Sequence, residues 1–319
     1  MKTRPLGGLN HRVSEIGLGT AQLANTSGGV KGVKYVSLSD AHDIVESAIE
    51  QGITFFDTSD RYGTVESMLG GLKPELKSRI FVATKAGLVD QGRRDFDTSY
   101  LKGRVENSLK QLGVDSLDLF QLNKPEVDDL QDGRLFEFLS WLKDTGRSRY
   151  CGVVIGGLET GDLCLAAESV DCIQVMYNLL YLDADDLISR AHDSEVGVIV
   201  RSPLNSGLLS GTYTANTTFD SEDERSRYLT GRVLGERLEV VDAVLDEIPL
   251  TTEHLLDFAL RFILANSAVS VVIPGASTTA QLQSYIAASQ GSAISERELT
   301  RIKDIIRRHA QGLGHSFQT

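Results

Sequence analysis

The chain has 319 residues, 41% of them hydrophobic and 24% charged, with a formal net charge of −12. That balance suits a globular chain long enough to bury a full core without cross-links. The acidic total argues against a general nucleic-acid or anionic-membrane surface.

Three cysteines, Cys151, Cys164 and Cys172, lie in apolar segments without a CxxC pair or zinc-like Cys/His spacing. They read as small core residues of a reducing compartment, and no metal site is expected. The N-terminus MKTRPLGGLNHR lacks the apolar stretch of a secretory signal. No run of ~18 apolar residues is present, so a cytoplasmic chain without a membrane span is expected.

In chain order, the first apolar run is SEIGLGT (14–20). The helical pattern LSDAHDIVESAIEQG (38–52) follows, opening on a Ser/Asp cap and closing on Gly52. Strand-like ITFFDTS (53–59) and RIFVATK (79–85) come next, then helical 99–113, strand-like LDLFQLN (117–123) and helical 133–146. RYCGVVI (149–155), DCIQVMY (171–177) and VGVIVRS (196–202) continue the strands, with helical 183–197 between the last two. The chain ends with helical 252–266, strand-like AVSVVIP (268–274), helical 279–290, and 295–310 with a Ser-x-x-Glu capping box.

Near-continuous apolar strands alternating with helices imply a parallel sheet buried on both faces. Eight such units match a closed (β/α)8 TIM barrel as one domain over 1–319, with an N-terminal β-hairpin and an extra C-terminal helix. The rival, a doubly wound open sheet, lacks a GxGxxG after the first strand. The longest break in the alternation is 211–236, after the seventh strand. It is either an exposed charged insertion or a functional loop on the C-terminal face.

Polar residues cluster where strands end. Asp57 closes the second strand with Tyr62 just beyond, Lys85 closes the third, Asn123 the fourth, and Gln174 lies in the sixth. Burying such groups is costly unless they are paired. Asp57 and Lys85 on adjacent strands are expected to form an ion pair. A Tyr beside that ammonium is expected to have a lowered pKa, suiting it to general acid–base work. A structural salt bridge or turn would explain any one of these residues, but not several at successive strand ends.

These residues and their neighbours resemble the aldo-keto reductase family. FFDTSDRYG (55–63), VATKAG (82–87), QVMYNLL (174–180), SPLNSGLLSG (202–211), VIPGAS (272–277) and GLGTAQ (17–22) carry the resemblance in the family's order. It spans nearly the whole chain and is nearest in kind to a bacterial branch with a VIVR-x-PL-x-SGLL seventh strand.

The resemblance implies hydride transfer from a nicotinamide cofactor to a carbonyl carbon. Catalytic roles fall on Tyr62 as proton donor, on Lys85 and Asp57 supporting it, and on Asn123. Asn123 stands where the family usually has His. It can donate a hydrogen bond to a carbonyl oxygen but cannot titrate near neutral pH. The family's potassium-channel β-subunit branch also has Asn there. A turn residue before Lys124-Pro125 is the competing reading of Asn123.

The resemblance also implies cofactor contacts from Gly19, Thr20, Asp57, Gln174, Arg201, Pro203, Leu204, Ser206, Gly207, Leu208, Gly275, Ser277, Gln281 and Tyr285. Several departures bear on these. Val154 and Ile155 replace a Ser-Asn pair, Thr212-Tyr213 replaces Lys-Tyr, Ser284-Tyr285 replaces Glu-Asn, and Arg201 replaces an aromatic residue that stacks on nicotinamide, where it either stacks by its planar guanidinium or reaches phosphate. Tyr285 either stacks on adenine or packs in the core. Arg225 and Arg227 either fold over the cofactor or pair with the acidic run 220–224. NADP(H) is favoured, with NAD(H) as the alternative.

The leading function is therefore NAD(P)H-dependent reduction of an aldehyde, ketone or sugar-like carbonyl. Two other readings stand beside it: non-redox elimination or isomerisation by Tyr62 and Lys85, and a cofactor-sensing regulatory subunit. The expected partner is a small carbonyl substrate, with homo-oligomerisation left open. Substrate choice is expected in the loops 23–37, 88–98 and 211–236.

Overall fold

The computed structural model describes residues 1–24, 36–89, 93–221, 223, 225–248 and 252–310. Strands β1 (Thr3–Pro5) and β2 (Arg12–Ser14) pair antiparallel as an N-terminal hairpin. Eight strands form the main sheet: β3 (Leu18–Gly19), β4 (Phe55–Asp57), β5 (Phe81–Ala86), β6 (Leu117–Asn123), β7 (Ser148–Val154), β8 (Cys172–Met176), β9 (Gly197–Arg201) and β10 (Val271–Val272).

Each strand lies parallel to its neighbour in chain order. Parallel bridges Ile16–Val272 and Gly19–Gly275 join the first strand to the last and close the barrel. Across that seam Gly17 N donates to Val272 O at 2.8 Å and Gly19 N to Pro274 O at 3.0 Å.

The helices are α1 (Leu38–Glu50), α2 (Val65–Gly70), α3 (Pro74–Lys77), α4 (Thr98–Leu112), α5 (Val127–Leu130), α6 (Arg134–Asp144) and α7 (Gly161–Leu165). They continue as α8 (Asp185–Asp193), α9 (Arg225–Tyr228), α10 (Gly231–Glu247), α11 (Leu255–Ala265), α12 (Thr279–Gln290) and α13 (Glu296–Ala310). Their starts follow local chemistry. Asp97 Oδ1 accepts from Ser99 N and Tyr100 N at the head of α4. Ser295 and Glu298 form a reciprocal box at the head of α13. Lys303 then donates to Asp185 at 2.5 Å and Arg308 to Glu247 at 2.5 Å, tying α13 to α8 and α10.

The barrel interior is a layered apolar plug. Phe55, Phe81, Ala83, Leu119, Cys172, Ile199, Val271 and Ile273 fill it, with Leu6 and Val13 of the hairpin below. Alternate residues on the same strands, such as Phe56, Val82, Phe120, Val153, Ile173 and Val200, belong to the outer core shared with the helices. This period of two decides where the polar residues go. Two residues after inward Phe55, Ala83, Leu119, Cys172 and Ile199 come Asp57, Lys85, Gln121, Gln174 and Arg201. A further step along β6 gives Asn123. The apolar plug therefore gives way to a polar layer at the C-terminal ends of the strands, where barrel function resides.

All eight strands overlie the predicted runs, β5 and β7 overrunning theirs by one residue each, and all seven predicted helices are present. The break expected over 211–236 is shorter than the sequence suggested, because α10 starts at Gly231. Leu234, Val240, Val241, Val244 and Leu245 of α10 are buried at helical spacing. Positions 25–35, 90–92, 222 and 224, within the segments singled out for substrate choice and charge, lie outside the described residues.

Candidate active site

Lys85 is the hub. Its Nζ donates to Asp57 Oδ1 at 2.5 Å and to Thr58 O at 2.8 Å, and lies 5.1 Å from the centre of the Tyr62 ring. Asp57 and Lys85 are each 4% exposed. The other Asp57 oxygen accepts from Gln174 Nε2 at 2.8 Å and Gln121 Nε2 at 3.2 Å, and Gln174 Nε2 also reaches Gln121 Oε1 at 3.2 Å. The buried carboxylate is thus fully hydrogen-bonded, which burial of a charge requires.

Gln121 went unnoticed in the sequence because it sits within an otherwise apolar alternation. The available signal was an amide two residues before Asn123, on the same inward face.

Tyr62 comes from the turn after β4, which is stitched to β5. Thr58 N donates to Ala83 O at 2.8 Å, Asp60 N to Lys85 O at 3.2 Å, and Tyr62 N to Ser59 O at 3.0 Å. Arg104 of α4 clamps the same turn, with Nε on Asp60 Oδ2 at 2.6 Å and Nη2 on Asp60 O at 3.0 Å. Nearby, Glu66 is buried and accepts from Thr84 Oγ1 at 2.7 Å.

The titration of the hub differs in one respect from expectation. Burial holds the Tyr62 hydroxyl above its ordinary phenol value, outweighing the downward pull of Lys85. The lowered Tyr62 pKa read from the sequence is therefore corrected: the hydroxyl stays protonated at neutral pH, the form a proton donor needs. Burial acts to lower the Lys85 pKa, but Asp57 and Tyr62 outweigh it, so the ammonium is held above its usual value and stays charged.

Asn123 is a strand residue, paired with Val154 in register and 7% exposed. The turn begins one residue later, at Lys124 with φ 59°. Asn123 sits on the inward face beyond Gln121, and among the described residues its side-chain amide makes no hydrogen bond. Arg201 ends β9, with Nη2 3.4 Å from Ile155 O and a buried Nε that has no partner.

Of the five described non-glycine residues with positive φ, four lie at this end of the barrel: Lys124, Ser202, Asn205 and Ser206. Such backbone is energetically unfavourable and concentrates where function over-determines it. The run carrying Pro203, Leu204, Ser206, Gly207 and Leu208 is braced from the side. Tyr213 OH donates to Ser206 O at 2.9 Å, and Ser206 Oγ lies 3.0 Å from Tyr228 OH. Leu208 is 1% exposed, so its side chain belongs to the core and only its backbone faces a ligand.

Other residues assigned to the cofactor also make contacts within the protein. The Thr20 hydroxyl donates to Asp57 O at 2.9 Å, and Gly19 is the close strand contact of the barrel seam. Gly275 faces the Gln22 side chain, where an added Cβ would lie 2.1 Å from Gln22 Oε1. Gln281 Oε1 accepts from Ser277 N at 2.7 Å at the exposed start of α12.

Tyr285 is 3% exposed and donates to Gly275 O at 3.0 Å. It is a core residue on the inner face of α12, so the adenine-stacking alternative is withdrawn. Arg225 pairs with Asp223, with Nε–Oδ1 at 2.9 Å, and donates to Tyr213 OH at 2.6 Å. It follows the acidic-partner reading. Arg227 is exposed.

This fold has known counterparts. A model of the aldo/keto reductase family matches residues 15–307. Aldo-keto reductase str7 of Strobilurus tenacellus is 27% identical, covering 96% of this chain and 92% of the relative. L-galactose dehydrogenase of Arabidopsis thaliana is 27% identical, covering 90% and 88%. The holo form of aldo-keto reductase AKR11C1 from Bacillus halodurans superposes with a TM-score of 0.78 at 26% identity, covering 96% of each chain. The chain belongs to the aldo/keto reductase family. It is an oxidoreductase of the NAD(P)-dependent kind, built on the (β/α)8 barrel. Among the described residues no helix is long and apolar enough to cross a membrane.

Proposed function

We propose that the chain reduces an aldehyde, ketone or sugar-like carbonyl, with Tyr62 as the proton donor. The observation that carries this reading is the Lys85 ammonium, bonded to Asp57 and close to the Tyr62 ring. A protonated phenol gives its proton to the carbonyl oxygen as negative charge develops there. The fixed ammonium then stabilises the phenolate left behind. Asp57, oriented by Gln121 and Gln174, keeps Lys85 charged and in place. The Asn123 amide, at the same strand-end layer, donates a second hydrogen bond to the substrate oxygen. It orients and polarises the carbonyl without relaying a proton.

A nicotinamide cofactor, when bound, supplies the hydride. The strained backbone at 202–207 and the exposed start of α12 fit such a group. Backbone groups of Ser206, Gly207 and Leu208 would hold its diphosphate, and Ser277 with Gln281 would meet the adenosine end. Two neutral side chains that accept or donate hydrogen bonds suit a 2′-phosphate, which favours NADP(H) over NAD(H).

The sugar-like option draws support from the relative named L-galactose dehydrogenase. Parallel fluorescence titrations with NADPH and NADH test the cofactor reading. Tighter NADPH binding supports it, whereas equal or tighter NADH binding removes the role given to Ser277 and Gln281.

A further inference from the structure

We propose that Arg201 is a specificity-determining residue that binds an anionic group on the substrate, so that the natural substrate is a carbonyl compound carrying a carboxylate or similar anion. This inference rests on the carbonyl-reduction reading above and narrows its substrate class.

Arg201 has donors that the described residues leave unmet. A guanidinium has five N–H donors and is always charged. Arg201 makes one long hydrogen bond, from Nη2 to Ile155 O at 3.4 Å, and its Nε is buried without a partner. Burial acts to lower its pKa, which is the mark of a cation taken out of water. The one described carboxylate whose charge is felt at Arg201 is Asp57. Both Asp57 oxygens are already bonded, to Lys85 on one side and to Gln121 and Gln174 on the other. Among the described residues, folding thus leaves a half-buried cation without its own counter-ion, and its unsatisfied buried Nε calls for an explanation.

The space beside it has a matching size. Arg201, Lys124, Ile155, Met176 and Tyr181 line a cavity of about 50 Å³. About 10–15 Å³ of such space holds one water, so the cavity has room for a few water-sized atoms, the order of a carboxylate.

The anion has two conceivable sources, the substrate and the cofactor. Arg201 lies near enough to the proton donor for its charge to act on Tyr62. The part of a nicotinamide cofactor that must approach Tyr62 is the hydride-bearing ring, neutral when reduced and positive when oxidised. The anion is therefore assigned to the substrate, and NADPH affinity in the test below separates the cofactor's phosphates as its source. A planar fork of donors also suits bidentate capture of a carboxylate.

The test uses two four-carbon aldehydes, 4-oxobutanoate and butanal, with the intact protein and NADPH. Wild type is expected to favour 4-oxobutanoate, and Arg201→Met to lower that preference by about 10–100-fold, the scale of a charge-assisted bidentate contact. The preference is read as the ratio of kcat/KM for the two aldehydes, so a change common to both cancels, and the NADPH dissociation constant is measured on the same samples. An unchanged substrate preference, or weakened NADPH binding in place of a lost preference, would overturn the proposal.

Calorimetry with succinate, an unreactive dianion, reads the same site without turnover. It should bind wild type at least about tenfold more tightly than Arg201→Met. Equal affinities would count against the anion site even where neither aldehyde is reduced. Failure of turnover with preserved succinate discrimination would instead sink the carbonyl-reduction reading and leave Arg201 as an anion site. Arg201→Met should also melt no lower than wild type in anion-free buffer, since it removes a half-buried cation that has no counter-ion among the described residues.

Discussion

Replacing Lys85 with Met isolates the energetics of the hub. The ammonium makes two hydrogen bonds, to Asp57 Oδ1 at 2.5 Å and Thr58 O at 2.8 Å, in a site where both charged partners are 4% exposed. Met matches the length of the stem but leaves the Asp57 charge unbalanced. Breaking one side of a buried ion pair costs about 3–5 kcal/mol. The two amide donors that remain on Asp57 Oδ2, Gln174 at 2.8 Å and Gln121 at 3.2 Å, place the expected cost toward the lower figure.

For a chain of this size, that corresponds to a fall in Tm of about 4–6 °C. Thermal unfolding followed by circular dichroism at neutral pH reads it directly. The double variant Asp57→Asn/Lys85→Met, which removes both charges, should recover at least half of the loss, because most of the cost is the uncompensated charge and not lost packing. A Lys85→Met Tm within about 1 °C of wild type, on the scale of a surface substitution, would refute the buried-pair reasoning. So would a double variant less stable than the single one.

Three further outcomes follow from the same geometry. Glu66 is buried, and burial holds its carboxyl above the usual range despite hydrogen bonds from Thr84 and Ser108. A raised carboxylate pKa gives the folded state an advantage that is present at low pH and lost as pH rises through the folded value. Glu66→Gln should therefore raise Tm at pH 7.5 and lose that advantage on acidification towards the ordinary carboxylate range. A difference in Tm that is constant with pH would refute the assignment.

Asn123→His restores a titratable group at the end of β6, so the pH profile of kcat/KM should gain a dependence near neutrality. Because the Asn123 amide holds no other described side chain, Tm should change by less than about 2 °C. An unchanged profile would return Asn123 to a structural role. Gly207 has φ 96°, and an added Cβ would lie 2.3 Å from Tyr213 OH. Gly207→Ala should accordingly destabilise by about 1–2 kcal/mol and loosen the Tyr213 brace. A neutral effect on thermal unfolding would show that the brace yields freely.

Much of this site was legible in the sequence because strand periodicity is rigid. Once Phe55, Ala83, Leu119 and Ile199 face inward, Asp57, Lys85, Asn123 and Arg201 must face the same interior at its polar end. Gln121 obeyed the same rule but was hidden among apolar neighbours, where one amide weighs little in a run of hydrophobic residues.

Helix α10 was lost for a different reason. Its first turns contain Gly231 and Gly235 and follow a charged segment, so composition spoke for a loop, while the apolar spacing lay further along. The fate of Tyr285 depends on the rotation of α12. Leu282, Tyr285, Ile286 and Ser289 share the buried face, a spacing of three and four that pointed inward. The absence of a counter-ion at Arg201 among the described residues had no signature in the sequence at all. It depends on where the loops place every other charge.

The central claim is that Tyr62 gives the proton. The direct measurement is single-turnover oxidation of bound NADPH by a carbonyl substrate in wild type and Tyr62→Phe, with NADPH affinity determined on the same samples. Loss of the hydroxyl should slow turnover by about 100–10,000-fold while leaving the NADPH dissociation constant nearly unchanged. Wild-type rates in Tyr62→Phe would contradict the assignment and leave Lys85 or a water as the proton source.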